Sequence, residues 1–441
     1  MKEKALNLQL ALDWLEGILA DRLRIYTGQA DQIDFQPLSL YSENTWLSEF
    51  IRLYNPSYDE FAVLLLALAP HLKPGFFRDI VAQYLPDGGD LPEFGAVKGI
   101  NHRDLLPTGE TAQFILAGDD LKKRLAVQHM LSNEHWFAQN HILRLESLRE
   151  GEPVMSGRLI LDPEIIEMLT LGAVHKPRFS LDFPAQYIET EMVWDDLVLH
   201  PNTWRQIREI EHWIRYNDTL LYDWGMKKKI KPGYRALFYG PPGTGKTLTA
   251  TLLGKHTGKD VYRIDLSNVV SKYIGETEKN LSKLFDKAEN KNWILFFDEA
   301  DALFGKRTEI RDAHDKYANQ EVSYLLQRIE NYNGLVILAS NQRANIDDAF
   351  IRRFQSVIYF PMPRPEERHE IWCKMFPPQV ECIEEIDWYQ IAARYELTGA
   401  GILNVVHFCA IELLACQSNK LDLKLLESAI QRELIKEGKI V

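Results

Sequence analysis

Gly240-Pro241-Pro242-Gly243-Thr244-Gly245-Lys246-Thr247 stands between an apolar run, Arg235 to Tyr239, and a run of helix formers, Leu248 to Leu253. A strand, a glycine loop and a helix in that order are the setting that a phosphate-binding loop requires. The glycines let successive backbone N–H groups turn inward around an anion, and the following helix aims its positive end at the same group. Lys246 adds a mobile positive charge there. Thr247 offers a hydroxyl to Mg2+, which takes oxygen ligands and bridges to nucleotide phosphates. A bound nucleotide triphosphate with Mg2+ is the first expectation.

Further along, Trp293-Ile294-Leu295-Phe296-Phe297-Asp298-Glu299 reads as a buried strand ending in two carboxylates. Nucleotide hydrolysis needs both, Asp298 to hold the Mg2+ shell and Glu299 to orient and deprotonate the attacking water. Acidic residues also end strands as plain solvated turns. The phosphate loop upstream in the same chain argues for the chemical role.

A chain of 441 residues exceeds one ordinary core, so two to four domains are expected. The net charge is −12, and the first 180 residues hold 17 Lys or Arg against 25 Asp or Glu, a balance that argues against a dedicated DNA-binding role. Met1-Lys2-Glu3-Lys4 leads into an amphipathic pattern (Leu6, Leu10, Leu15, Leu19) with no secretory signal. The longest apolar run, Phe61 to Pro70, falls short of the roughly 20 residues that cross a bilayer, so no membrane span and a cytoplasmic location are expected. Cys373, Cys382, Cys409 and Cys416 form no C-x2-C pair, and read as buried or half-buried thiols.

The N-terminal region reads as mostly helical. Ser57-Tyr58-Asp59-Glu60 ahead of Phe61 to Leu68 is a capping-box start for a buried helix. Pro86 to Pro107 predicts a long loop. Then come a helix over Leu121 to Leu131, a strand within His141 to Glu146, a second strand over Arg158 to Leu161, and a helix opened by Asp162-Pro163. Helices followed by a two-stranded ribbon resemble a winged-helix domain, a fold that serves DNA binding and protein docking alike. With Lys122-Lys123-Arg124 as the only basic cluster, protein docking is the favoured use.

His175 to Pro184 reads as a linker. Beyond it, Arg235 to Tyr239, Val261 to Leu266, Trp293 to Phe297, Leu335 to Ala339 and Val357 to Phe360 alternate with helical stretches. Such runs predict strands buried on both faces, hence an α/β domain with a five-stranded parallel sheet covered by helices.

With these motifs in order, the chain from about Glu191 to Val441 resembles the AAA branch of the AAA+ ATPases, which are P-loop NTPases. The resemblance rests on Gly240 to Thr247, Lys272-Tyr273-Ile274-Gly275-Glu276-Thr277-Glu278, Ile294 to Asp301, Ala339-Ser340-Asn341 and Asp347-Asp348-Ala349-Phe350-Ile351-Arg352-Arg353-Phe354. The last stretch is similar to the arginine-finger helix of the katanin and spastin subgroup. The longer Arg-Pro-Gly-Arg-Phe form is absent.

The resemblance implies ATP as the nucleotide and a homo-hexameric ring with ATP held between subunits. It implies a sensor role for Asn341 and a reach of Arg352 and Arg353 into the next subunit's site, with Arg353 favoured. It places Lys272, Tyr273 and Ile274 in a pore loop. The nucleotide set becomes Gly240 to Thr247 with Leu248, together with Asp196 and Leu197 from Trp194-Asp195-Asp196-Leu197, and Gly399 and Ala400 at the start of a lid helix. The glycine that usually follows the first of these segments is replaced by Val198 or Leu199, and no lid arginine stands near Gly399. The expected boundaries are 1–185 for an N-terminal recruitment domain, 186–363 for the large ATPase subdomain and 364–441 for the small helical lid. His407 reads as a core histidine. An acidic helical domain before a single AAA motor also resembles ATPases encoded with bacterial contractile injection systems.

Two function classes follow. The first is a ring motor that threads or remodels protein substrates recruited by the N-terminal domain. The alternative is a nucleic-acid motor or loader that grips DNA with the winged domain. The acidic balance, the aromatic Tyr273 and the missing lid arginine favour the first.

Overall fold

The computed structural model describes residues 2–30, 37, 39–40, 42, 44–84, 92–173, 176–180, 183–265, 276–301, 323–342, 348–382 and 386–439. The chain divides into two compact units, Met1–Lys176 and Pro177–Val441.

The first unit contains helices α1 (Lys2–Tyr26), α2 (Trp46–Tyr54), α3 (Tyr58–Leu72), α4 (Phe76–Tyr84), α5 (Gly109–Ala117), α6 (Leu121–Met130), α7 (Trp136–Gln139) and α8 (Pro163–Leu171). Its centre is α3, buried continuously from Phe61 to Pro70. The expected capping box starts it, with Glu60 N donating to Ser57 Oγ at 3.3 Å and Ser57 N to Glu60 Oε2 at 2.6 Å. A helix apolar on every side belongs inside a core, and Leu15, Leu19, Phe50, Phe77 and Ile115 surround it in one cluster. Strands β3 (Leu143–Leu145) and β4 (Leu159–Leu161) form the expected ribbon, antiparallel. The stretch Pro86 to Pro107, expected as a loop, holds a small antiparallel pairing of β1 (Val97–Lys98) and β2 (Leu105–Leu106). Two residues per strand leave no periodic pattern to read. Among the described residues no single helix is long and apolar enough to cross a membrane.

The second unit is built on a six-stranded sheet, not the five-stranded one expected. The five expected strands are β6 (Tyr234–Tyr239), β7 (Val261–Asp265), β8 (Ile294–Asp298), β9 (Leu335–Ser340) and β10 (Ser356–Tyr359), all parallel. A sixth, β5 (Gln186–Ile188), pairs antiparallel with β7 at one edge, giving the order β10-β6-β9-β8-β7-β5. Three half-exposed residues at an edge lack the apolar run that marks the other strands. The same strand moves the boundary: Ala185 is fully buried in this unit's core, and the Phe183 ring lies edge-on to Tyr262 and Trp293. Residues 177–185 therefore belong with the second unit, and the expected border at 185/186 falls inside it.

Helices α9 (Pro201–Asp218) and α10 (Lys246–Thr257) pack through Ile207, Ile210, Ala250 and Leu253 on one face of the sheet, and α11 (Glu276–Lys291) packs through Leu281, Leu284 and Phe285 on the other. After α12 (Asp348–Ile351) and β10, helices α13 (Pro365–Met375), α14 (Trp388–Arg394), α15 (Gly399–Ala415) and α16 (Leu423–Lys436) enclose a separate cluster around Trp372, Leu397, Val405 and Ile430. This region is not wholly helical, since Glu381–Cys382 pairs with Lys420–Leu421. His407 is exposed and not in the core, because α15 turns Ile402, Val405, Val406 and Cys409 inward. Cys409 is buried, which pushes its thiol up to about 12. Cys373 and Cys416 are exposed, contrary to the buried or half-buried thiols expected.

Candidate active site

The phosphate loop grows from β6, a strand buried between β10 and β9. Gly240 has φ +147°, and a Cβ there would lie 2.0 Å from the Phe360 carbonyl, so only glycine lets the chain turn off the strand. Gly243 has φ +76°, and its Cβ would meet Ala400 Cβ and Thr398 Oγ1 at 2.8 Å. Ala400 N also donates to Gly243 O at 3.2 Å. The loop and the first turn of α15 therefore touch directly, which brings Gly399 and Ala400 beside the phosphate loop.

The sheet topology gathers the remaining groups. Parallel strands end on one side, and the carboxyl ends of β6, β9 and β8, adjacent in the sheet, carry the phosphate loop, Asn341, and Asp298 with Glu299. Together they line a cleft of about 510 Å³ with Gly243 to Leu248, Pro242, Asp196, Leu197, Gly399 and Ala400. Lys246 is buried; its Nζ donates to Gly240 O at 2.7 Å and Pro241 O at 3.0 Å, and lies 3.5 Å from Asn341 Oδ1. Burial lowers the pKa of its ammonium below the ordinary lysine value, and the charges of Asp298 and Asp301 work against that. Thr244 Oγ1 donates to Pro241 O at 2.9 Å, which closes the loop on itself.

Asp298 is half-buried. Its Oδ2 pairs with Arg263 Nη2 at 2.9 Å, and its Oδ1 accepts the Glu299 N–H at 3.1 Å. Glu299 has φ +52°, a left-handed conformation that costs a non-glycine residue of order 1 kcal/mol or more and is found at functional sites. Its side chain is exposed and lines the cleft. Asp196 Oδ2 accepts from Val193 N at 2.8 Å, so this carboxylate is engaged within its own turn.

Sequence reasoning missed the apolar walls of the cleft, Val198, Leu199, Ile371, Met375 and Leu403. They come from separate stretches whose only shared property is apolar character, which no spacing reveals. Arg263 was missed as well, although the alternation in Val261-Tyr262-Arg263-Ile264-Asp265 puts it on the same strand face as Asp265, opposite Asp298 in register. Neither Arg352 nor Arg353 lines the cleft. Both are exposed in the turn after α12, and Arg353 Nη1 is ion-paired with Glu330. Lys272, Tyr273 and Ile274 lie outside the described residues.

Residues 236–362 match the family described as ATPase family associated with various cellular activities (AAA). The chain thus carries an AAA ATPase domain, and the cleft lies on it. Among similar proteins, cell division protein C of Sulfolobus acidocaldarius is 36% identical over 144 residues, 31% of this chain and 38% of that one. The proteasome-activating nucleotidase of Methanopyrus kandleri is 32% identical over 207 residues, 45% of this chain and 47% of its own. The peroxisomal ATPase PEX6 of Debaryomyces hansenii is 28% identical over 233 residues, 50% of this chain and 19% of its own. In each case this chain spans less than two thirds of the relative.

Proposed function

We propose that the chain is a ring motor that hydrolyses ATP and uses the energy to unfold, disassemble or otherwise remodel protein substrates by threading them through a central pore. The observation that carries this reading is the convergence of Lys246, Asp298, Glu299 and Asn341 on one cleft while Arg352 and Arg353 stand outside it. A complete hydrolytic set short of its arginine is what a site shared between neighbouring subunits requires.

ATP fits the cleft, with the phosphates at Pro242 to Thr247 and the base against the apolar walls. Mg2+ fits the donor set, since the Thr247 hydroxyl and the Asp298 carboxylate are hard oxygen ligands and phosphates and water complete such a shell. When bound, the ion neutralises charge developing on the transferred phosphoryl group. The chain's own residues do the rest. Loop N–H groups and Lys246 hold the phosphates, Glu299 takes the proton from the attacking water, and Asn341 orients that water or senses the phosphate. Arg353, with Arg352 beside it, reaches the neighbour's nucleotide and offsets the charge there.

The unit Met1–Lys176 is read as the recruiting module, a winged-helix domain used for protein docking. Its α6 exposes Leu121 and Leu125 beside Lys122 and Lys123, while Arg124 is turned inward onto Gly118 O at 3.1 Å and Gln113 Oε1 at 3.1 Å. That leaves two lysines beside an apolar stripe, a poor phosphate-tracking surface and a fair protein-docking one. Relatives named as proteasome-activating nucleotidases are consistent with protein as the substrate class.

Tyr273 tests the threading step. An aromatic ring gives large, sequence-tolerant contact with an extended chain. Tyr273→Ala should keep basal ATP turnover within about twofold of wild type, since no phosphate contact is lost, and abolish unfolding or extraction of a tagged protein substrate. Tyr273→Phe should retain most of that work. An alanine variant that melts early or fails to assemble would place the ring in a core and remove it from the motor.

A further inference from the structure

Arg353 does not hang free from the surface. Its Nη1 is ion-paired with the Glu330 carboxylate, and Glu330 is fixed through its own backbone. The Arg235 guanidinium, only 5% exposed, donates to the Glu330 carbonyl, to Ile329 O at 3.3 Å and to Gly233 O at 3.0 Å. Arg235 is the second residue of β6 and also grips the segment behind Arg353. Gln355 N donates to Arg235 O at 3.0 Å, and Arg235 N donates to Gln355 Oε1 at 2.9 Å. Arg353 N closes its turn on Phe350 O at 2.9 Å. Glu330 and the residue two positions after Arg353 are thus both held by one residue of the strand that ends in the phosphate loop.

A guanidinium is a planar fork with donors on several edges. Glu330 engages Arg353 through Nη1, and the side chain remains 48% exposed. The edge formed by Nη2 and Nε can then meet a phosphate oxygen pair in the bidentate manner that suits arginine. We infer that Glu330, anchored by Arg235, is a positioning residue for Arg353: it fixes the rotation of the guanidinium so that the remaining edge faces the neighbouring subunit's nucleotide. This rests on the reading of Arg353 as a finger. A half-exposed ion pair adds little to folding stability, so the effect of removing it should be kinetic.

The test uses Glu330→Ala in the full chain, with ATP turnover and thermal melting read together. kcat should fall roughly tenfold to a hundredfold with KM for ATP unchanged, because the variant's own phosphate loop is intact and only a neighbour's site loses orientation. Glu330→Gln, which keeps an acceptor, should recover part of the rate. Adding Glu330→Ala to Arg353→Ala should cost nothing further, since both remove one interaction. Mixing Glu330→Ala with Lys246→Ala subunits should restore turnover, because the defect lies in the subunit that donates the finger. Wild-type turnover by Glu330→Ala beside an inactive Arg353→Ala would overturn the inference and leave the finger reading standing. Wild-type turnover by Arg353→Ala would remove the finger reading and the role of Glu330 with it. An added loss in the double variant, or a large fall in melting temperature without rescue by mixing, would assign Glu330 to structure alone and overturn the inference.

Discussion

Glu299→Gln should bind ATP with near wild-type affinity and hydrolyse it roughly 10²- to 10⁴-fold more slowly, the span that general-base catalysis contributes. Glutamine keeps the size and reach of the side chain, and the left-handed backbone at this position already tolerates a side chain of that length. The phosphate loop, Lys246 and Thr247 are untouched, and Asp298 keeps its contacts with Arg263 and the residue 299 N–H. What is lost is the base. The variant should accumulate in the ATP-bound form, measured as nucleotide retained on the protein against phosphate released. Turnover at the wild-type rate would take Glu299 out of the mechanism.

Arg353→Ala should also bind ATP and be inactive alone, with turnover lowered by about 10³-fold or more, as for arginine fingers in other NTPases. The two losses differ in where they act. A finger serves the neighbour's nucleotide, whereas Lys246 lies against its own loop, 2.7 Å from Gly240 O. Mixing Arg353→Ala subunits with Lys246→Ala subunits therefore creates some junctions that have an intact loop and an intact finger, and part of the activity should return. Mixed rings that form and yet hydrolyse nothing at any ratio would contradict a shared site.

The parts of the fold legible in the sequence were those where burial forces composition. Strands β6, β8 and β9, in the middle of the sheet, are buried along almost their whole length and are correspondingly apolar, and the turn from β6 into α10 must be glycine because of the close approach at Gly240. Strand β5 was not legible, since three residues at an edge meet no such demand. In the same way, Lys246, Asp298 and Glu299 could be placed because the loop and the strand end carry distinct residue types in fixed order, whereas Asn341 came from the family resemblance of Ala339-Ser340-Asn341. The walls formed by Val198, Leu199, Ile371 and Leu403 could not, because apolar character is all that they share. The partners Arg263 and Glu330 depend on register and on long-range folding, Glu330 lying 23 residues before Arg353 in sequence. The border was expected at 185/186 and falls at 176/177 because Phe183 and Ala185, inside a Pro-rich stretch, pack into the second core.

The central claim is that ATP hydrolysis in this cleft drives work on protein chains. The most direct measurement is steady-state ATP turnover of the full chain, at fixed stated salt, with an unfolded protein, with DNA, and with neither. Turnover should rise with the unfolded protein and stay at the basal rate with DNA, and Glu299→Gln should abolish the rise. Stimulation by DNA with no response to unfolded protein would contradict the account and favour a nucleic-acid motor.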